Sequence, residues 1–285
     1  MTTDVHPPDS IDPTPQELEW AVAIKRAAAQ DPEVNTAAMM DLEFLQHGII
    51  AKSNVDKALK RIKRMQQLKE RYGIKLDGSV EDGIRDVQAF SAAHPRFGLC
   101  WQPLEDHTHV VCSDYQHFRA DRMHSEEGFA MMMRCFFYMM QMCQPHAAAM
   151  RAGLVFLMDT QHMGRRNFSW QVEERMSTVI FNAYPARVQK VAILNPSWIM
   201  RTIFAFCMRV LSPKARNTHV FCKHPTTFFK EAGYPREVLP DAWGGTFPSK
   251  DVEKIKQMVR QMLQQRYDYA AKFRLQDEEE EDEED

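Results

Sequence analysis

From Thr108 to Cys222 the chain alternates short apolar runs with helical ones, and this alternation constrains the fold more than any other feature. His109-Val110-Val111-Cys112, Gly153 to Met158, Val191 to Leu194 and Thr218 to Cys222 read as strands. Between them, Glu126 to Cys143, Gln171 to Phe181 and Trp198 to Leu211 carry helical spacing. Strands and helices in strict alternation build βαβ units, so the expected fold class is α/β with a mainly parallel sheet and flanking helices. Strands this uniformly apolar need cover on both faces.

The segments on either side are helical. Thr14 or Pro15 opens a helix running to Asp31, with Glu17 and Glu19 in its first turn and Leu18, Ala21, Val22 and Ile24 as its apolar stripe. Thr36 to Ile50 gives a second short helix, and Asn54 to Tyr72 a third, which Asn54 caps and Gly73 ends. Val252 to Phe273 makes a last, basic helix. The expected organisation is a disordered start over 1–13, a helical N-terminal subdomain over 14–76, an α/β domain over 90–250, a C-terminal helix over 251–275 and an acidic, disordered tail over 276–285.

Hydrophobic residues make up 44% of the 285 and charged ones 26%, the proportions of a globular chain with a sizeable core. No run approaches the roughly 18 apolar residues of a membrane span, and the start is polar and proline-studded, so a soluble, cytoplasmic protein is expected. Six scattered cysteines form no C-x-x-C pair, which suggests free thiols and no metal site. All nine residues from Asp277 to Asp285 are acidic, and without them the formal charge of −3 becomes +6. The tail reads as a solvated end, or as a shield between a basic body and anionic membranes.

The signatures of common α/β enzymes are missing: there is no G-x-G-x-x-G, no G-x-x-x-x-G-K-[ST] and no G-x-S-x-G. Asp159 and His162 follow an apolar strand at its carboxyl end, but no nucleophile or ligand set accompanies them, so they read as a structural aspartate and a rim histidine. A non-enzymatic protein without cofactors is expected. What the chain has in surplus is soft apolar volume. Phe129, Met131, Met132, Met133, Phe136, Phe137, Met139, Met140 and Met142 make one helix apolar on nearly every face. Such a helix is either a central core element or the wall of a pocket whose methionines accommodate varied shapes. Trp198 to Leu211 adds Arg201 and Arg209 to an apolar helix, with Lys214 and Arg216 beyond it. It reads as core, or as a lid that meets an anionic bilayer when it opens.

Tyr184-Pro185, the strand ending in Asn195-Pro196, the aromatic-rich helix, Leu211-x-Pro213 and the run from Leu239-Pro240 to Gly244-Gly245 together resemble the CRAL-TRIO family of lipid-binding proteins. The likeness covers about residues 36 to 248 and is weaker over the N-terminal helices. It is nearer to the tocopherol-transfer and retinaldehyde-binding subgroup than to the yeast phosphatidylinositol-transfer type. The resemblance implies a sheet-floored pocket under a movable lid, serving the binding and intermembrane transfer of a hydrophobic, lipid-like ligand. It places ligand contacts at Met133, Phe136 and Met140, at Leu154 and Met158, at Met176, Val179, Ile180 and Tyr184, and at Val188 and Val191. The lid adds Trp198, Ile199, Ile203 and Phe206. Arg187 and Lys214, with Arg216 beside them, align with positions that face membranes and phosphatidylinositol bisphosphate headgroups.

Departures from the family pattern narrow this. Phe44-Leu45-Gln46-His47-Gly48 lacks the family's cation, and Ala186 and Thr218 replace an acid and a lysine. An inositol lipid as pocket cargo is therefore disfavoured, while surface phosphoinositide contact stays in play. The partners expected are a lipid and, transiently, a membrane, with no nucleic acid. A second function class is a lipid-sensing scaffold that recruits a protein partner through the helical N-terminus or the acidic tail.

Overall fold

The alternation resolves into one five-stranded sheet whose strands lie side by side in chain order: β1 (Gly98–Pro103), β2 (His109–Asp114), β3 (Leu154–Asp159), β4 (Val188–Leu194) and β5 (His219–Cys222). β1 runs antiparallel to β2, and every other pair is parallel, as the alternation requires. The computed structural model describes residues 10–75, 78–94, 97–198, 200–202, 204–205, 213–223, 225–249 and 251–275. Helices α1 (Pro15–Gln30), α2 (Asp41–Ala51), α3 (Val55–Tyr72) and α4 (Val80–Ala93) precede the sheet. α5 (Glu126–Met142) and α6 (Ala147–Ala152) connect β2 to β3, and α7 (Trp170–Asn182) connects β3 to β4. α8 (Pro213–Thr218) enters β5, and α9 (Pro225–Glu231) and α10 (Val252–Lys272) close the described chain.

Local chemistry sets the helix ends. Thr14 caps α1: its hydroxyl accepts from the Glu17 N–H at 3.3 Å while the Glu17 carboxylate accepts from the Thr14 N–H at 2.9 Å, and Pro15 takes the first helical position. Asn54 accepts from Lys57 N–H at 2.9 Å to start α3, and Gly73, at φ +64°, ends it. The second helix begins later than expected, at Asp41, after a separate short turn over Thr36–Ala38.

In a strand order that steps steadily one way, right-handed crossovers put every connection on the same face. α5, α7 and the segment that follows β4 therefore share one face of the sheet. Val111, Leu154 and Phe156 from that face join α5 in one apolar cluster, which α4 and α10 cover from outside. Gly83 permits this close layering, since a Cβ there would meet Leu263 Cδ1 at 2.5 Å and Tyr138 Cδ1 at 2.9 Å. The all-round apolar α5 is thus sandwiched between the sheet and an outer helical layer. On the opposite face, Val110, Cys112, Val155, Leu157, Ala192 and Leu194 pack against Phe229 of α9 and against Val238 and Leu239. Both faces are covered, as the apolar strands demand. A third cluster joins α1, α2 and α3 to α6 and the end of α10 through Ala147, Met150, Ala270 and Leu275.

Candidate functional site

Side chains alternate across a strand, so the register decides which residues share the α5 face. Val111, Phe156, Val191 and His219 form one row across β2 to β5, and Ser113, Met158, Ile193 and Phe221 form the next. Met133, Phe136 and Met140 of α5, at helical spacing, are buried in the cluster that this face shares. Leu154, Tyr184 and Val191 are buried too. Phe156, Met158 and Met176 keep partial exposure although they belong to this covered side. Val188 pairs with Leu154 next to an irregularity in the β3–β4 register. Arg175 stacks its guanidinium 3.6 Å from the centre of the Phe129 ring, tying α7 to α5. Val179 and Ile180 are described on α7 by their backbone alone.

The expected lid is described in part. Residues 198, 200–202, 204 and 205 are helical, while Ile199, Ile203, Phe206 and 207–212 lie outside the described residues. Phe204 meets Phe221 edge-on with ring centres 5.8 Å apart, which places this segment over the α5 face at β5. Trp198, expected in the lining, is 77% exposed, whereas Met200, which the sequence did not single out, is 3% exposed. Two positions apart on a helix are about 200° apart, so only one of the two can turn inward.

The basic positions separate as well. Arg187 is exposed at the amino end of β4 and donates to Arg151 O at 2.9 Å. A Cβ at Gly153, at φ +88°, would run into the Arg187 carbonyl, so this corner needs glycine. Arg216 is exposed on α8, which packs on β4 and β5, and Lys214 is described there by its backbone alone.

At the inner end of the cluster, beside Tyr184, lies a polar junction that the sequence could not show. Gln46 Nε2 donates to Gln144 Oε1 and to Pro185 O, both at 2.9 Å. Arg266 of α10, 1% exposed, donates to Gln46 Oε1 at 3.0 Å and to the Gln144 carbonyl. A buried cation from 220 residues away thus meets Gln46. Burial pushes the Glu43 carboxyl up, but the Lys69 ammonium, 2.8 Å away, more than offsets this and holds it low. His47 Nδ1, Gln141 Oε1 and Arg266 Nε have no partner among the described residues and line a cavity of about 10 Å³, the room of one water.

Asp159 accepts from Gln161 N–H at 2.9 Å and from Asn195 Nδ2 at 3.2 Å, bracing the carboxyl ends of β3 and β4, and His162 is exposed. Cys112, Cys135 and Cys143 are buried, and Cys222 is half-buried. Among the described residues there is no cluster of three or more metal-ligating side chains, and no helix is long and apolar enough to cross a membrane. A groove of about 920 Å³ runs along α10 beside Ile11–Pro13, walled by glutamines, and none of the expected lipid contacts lines it.

No curated protein matches the chain. Residues 105–245, just under half of it, match the family model described as the CRAL/TRIO domain. The match spans β2 to β5 with α5, α7 and α9, and leaves α1 to α4, β1 and α10 outside. Over residues 105–245 the chain is similar to the CRAL/TRIO domain, and its mixed α/β fold is consistent with the fold of that family.

Proposed function

We propose that this chain encloses a hydrophobic, lipid-like ligand between the α5 face of the sheet and the segment that follows β4, and exchanges it at membranes. The match of residues 105–245 to the CRAL/TRIO domain, a lipid-binding family, supports this reading. The observation that carries the reading is that Phe156 and Met158 of β3 and Met176 of α7 are apolar yet only partly buried on the α5 side of the sheet. Met158 and Met176 extend the buried wall of Met133, Phe136, Met140, Leu154, Tyr184 and Val191, with Val179, Ile180 and Val188 on the same elements. Enclosing about 400 Å² of apolar ligand at ~25 cal/mol per Å² would supply on the order of 10 kcal/mol before ordering costs. Release then requires the 198–211 segment to move, exchanging one apolar environment for another at a bilayer.

Headgroup selectivity is the finer part of the proposal: Arg187, Lys214 and Arg216 favour acceptor membranes that hold phosphatidylinositol bisphosphate. Native mass spectrometry of the purified protein should show a bound lipid, and a fluorescent lipid should pass between vesicles at a rate that rises with protein concentration. Phe156→Asp should cut cargo at least about 10-fold, since a carboxylate on an apolar wall must be desolvated. A protein that purifies without lipid and moves none would overturn the reading.

A further inference from the structure

Parallel strands put every following loop at one end of the sheet, and that carboxyl edge carries an unusual surface. The β3–α7 loop is pinned there by Asn167, which donates to Gln116 O at 2.9 Å and Phe118 O at 2.7 Å beyond the end of β2. Thr160 Oγ1 donates to Leu194 O at 3.0 Å and Asn195 N–H to Cys222 O at 2.8 Å, so the ends of β3, β4 and β5 are tied together. On this tied edge stand Trp170, 45% exposed at the start of α7, and Trp198, 77% exposed after β4. Arg165, Arg166, Arg201 and Lys223 are exposed on the same edge and none has a carboxylate partner among the described residues. The acids nearby are engaged or outnumbered: Asp159 holds Gln161 and Asn195, Asp114 holds Gln116 and faces His117, and Glu174 is the exposed one.

Two large amphipathic rings on a cationic rim match one partner in particular. Tryptophan settles at the depth where acyl chains meet headgroups, and each nearby Lys or Arg adds about 1 kcal/mol against an anionic leaflet. We infer that the carboxyl edge of the sheet is the surface that docks on anionic membranes, with Trp170 and Trp198 inserting and Arg165, Arg166, Arg201 and Lys223 meeting lipid phosphates. The inference rests on the lipid-exchange reading and deepens it, because Trp198 begins the segment that must move for cargo to leave. It gives the docked molecule an orientation, with the carboxyl ends of β3 to β5 toward the bilayer. Arg187 and Arg216, on the amino side, take no part in this contact.

The test is partition of the full chain onto vesicles of phosphatidylcholine with about one third phosphatidylserine, read by co-sedimentation, and by quenching of tryptophan fluorescence with brominated acyl chains. Trp170→Ala/Trp198→Ala should lower partition about 10-fold or more and remove most of the quenching. Arg165→Glu/Arg166→Glu should lower partition on anionic vesicles far more than Lys57→Glu/Lys60→Glu, which makes the same change of net charge on α3. Equal losses for the two charge reversals, or quenching that survives loss of both tryptophans, would overturn the inference. Copurified lipid is measured on every sample. A wild-type chain that docks but carries no lipid refutes the carrier reading and leaves the docking edge standing, while one that carries lipid but ignores these anionic vesicles does the reverse.

Discussion

Several single side chains are held in a charge state that folding imposes on them. Burial lowers the pKa of His47 to about 3 and of His94, His109 and His146 to about 4. Two of these rings use Nδ1 as an acceptor: His94 takes the Arg119 N–H at 3.1 Å, and His146 takes the Ala149 N–H at 3.3 Å where it caps α6. Protonation would charge a buried ring and break its hydrogen bond. A folded pKa below the ordinary 6.5 means that the unfolded chain binds more protons, so stability present above pH 6.5 is lost progressively toward pH 4. Thermal unfolding should therefore show Tm lower by about 5 °C or more at pH 5 than at pH 7. Glu173 has the opposite sign, because burial raises its carboxyl to about 7. It favours the fold below pH 4.5, and that contribution fades as pH climbs to about 7. Glu173→Gln should raise Tm more at pH 8 than at pH 5, and an equal effect at both would mean that the carboxyl titrates normally.

Pairs of elements are joined by interactions whose partners lie far apart in the chain. Lys69 of α3 and Glu43 of α2 form a buried ion pair, and the Lys69 ammonium also lies 5.0 Å from the Phe137 ring of α5. Removing one partner strands a buried charge, so Lys69→Met should cost about 3 kcal/mol or more, and Glu43→Gln/Lys69→Met should regain most of it. Chemical denaturation midpoints read both. At this scale much was legible: three of the four parallel strands were anticipated nearly to the residue, and β4 starts three residues before its fully apolar run. α4 was missed although its signal was present, with Ser79 and Asp82 forming a capping box and Ile84, Val87 and Phe90 its stripe. β1 was not legible, because Gly98–Pro103 carries turn residues and becomes a strand only by pairing with β2.

Across the whole molecule, the domain that holds the site does not cover itself. Met258, Val259, Met262 and Leu263 of α10 belong to the same apolar cluster as α5, although α10 lies beyond residues 105–245. A chain ended before Val252 should lose cooperative unfolding and bind a hydrophobic dye such as ANS, because the outer face of α5 is uncovered. A sharp melt without dye binding would show that α10 is dispensable to the core. The acidic tail, expected as solvated end or shield, lies outside the described residues.

By itself the sequence determined what repeats locally: the alternation that makes a parallel sheet, the all-apolar α5 that must be covered twice, and the ordered motifs of the CRAL-TRIO type. Periodicity carries such information because neighbours in the chain are neighbours in a helix or strand. Only the tertiary structure decided that Trp198 turns outward while Met200 turns in. It also decided that Arg266 is buried against Gln46, and that the exposed tryptophans gather at one edge. Those outcomes depend on which distant surfaces pack together, and a pattern read along the chain holds no record of that.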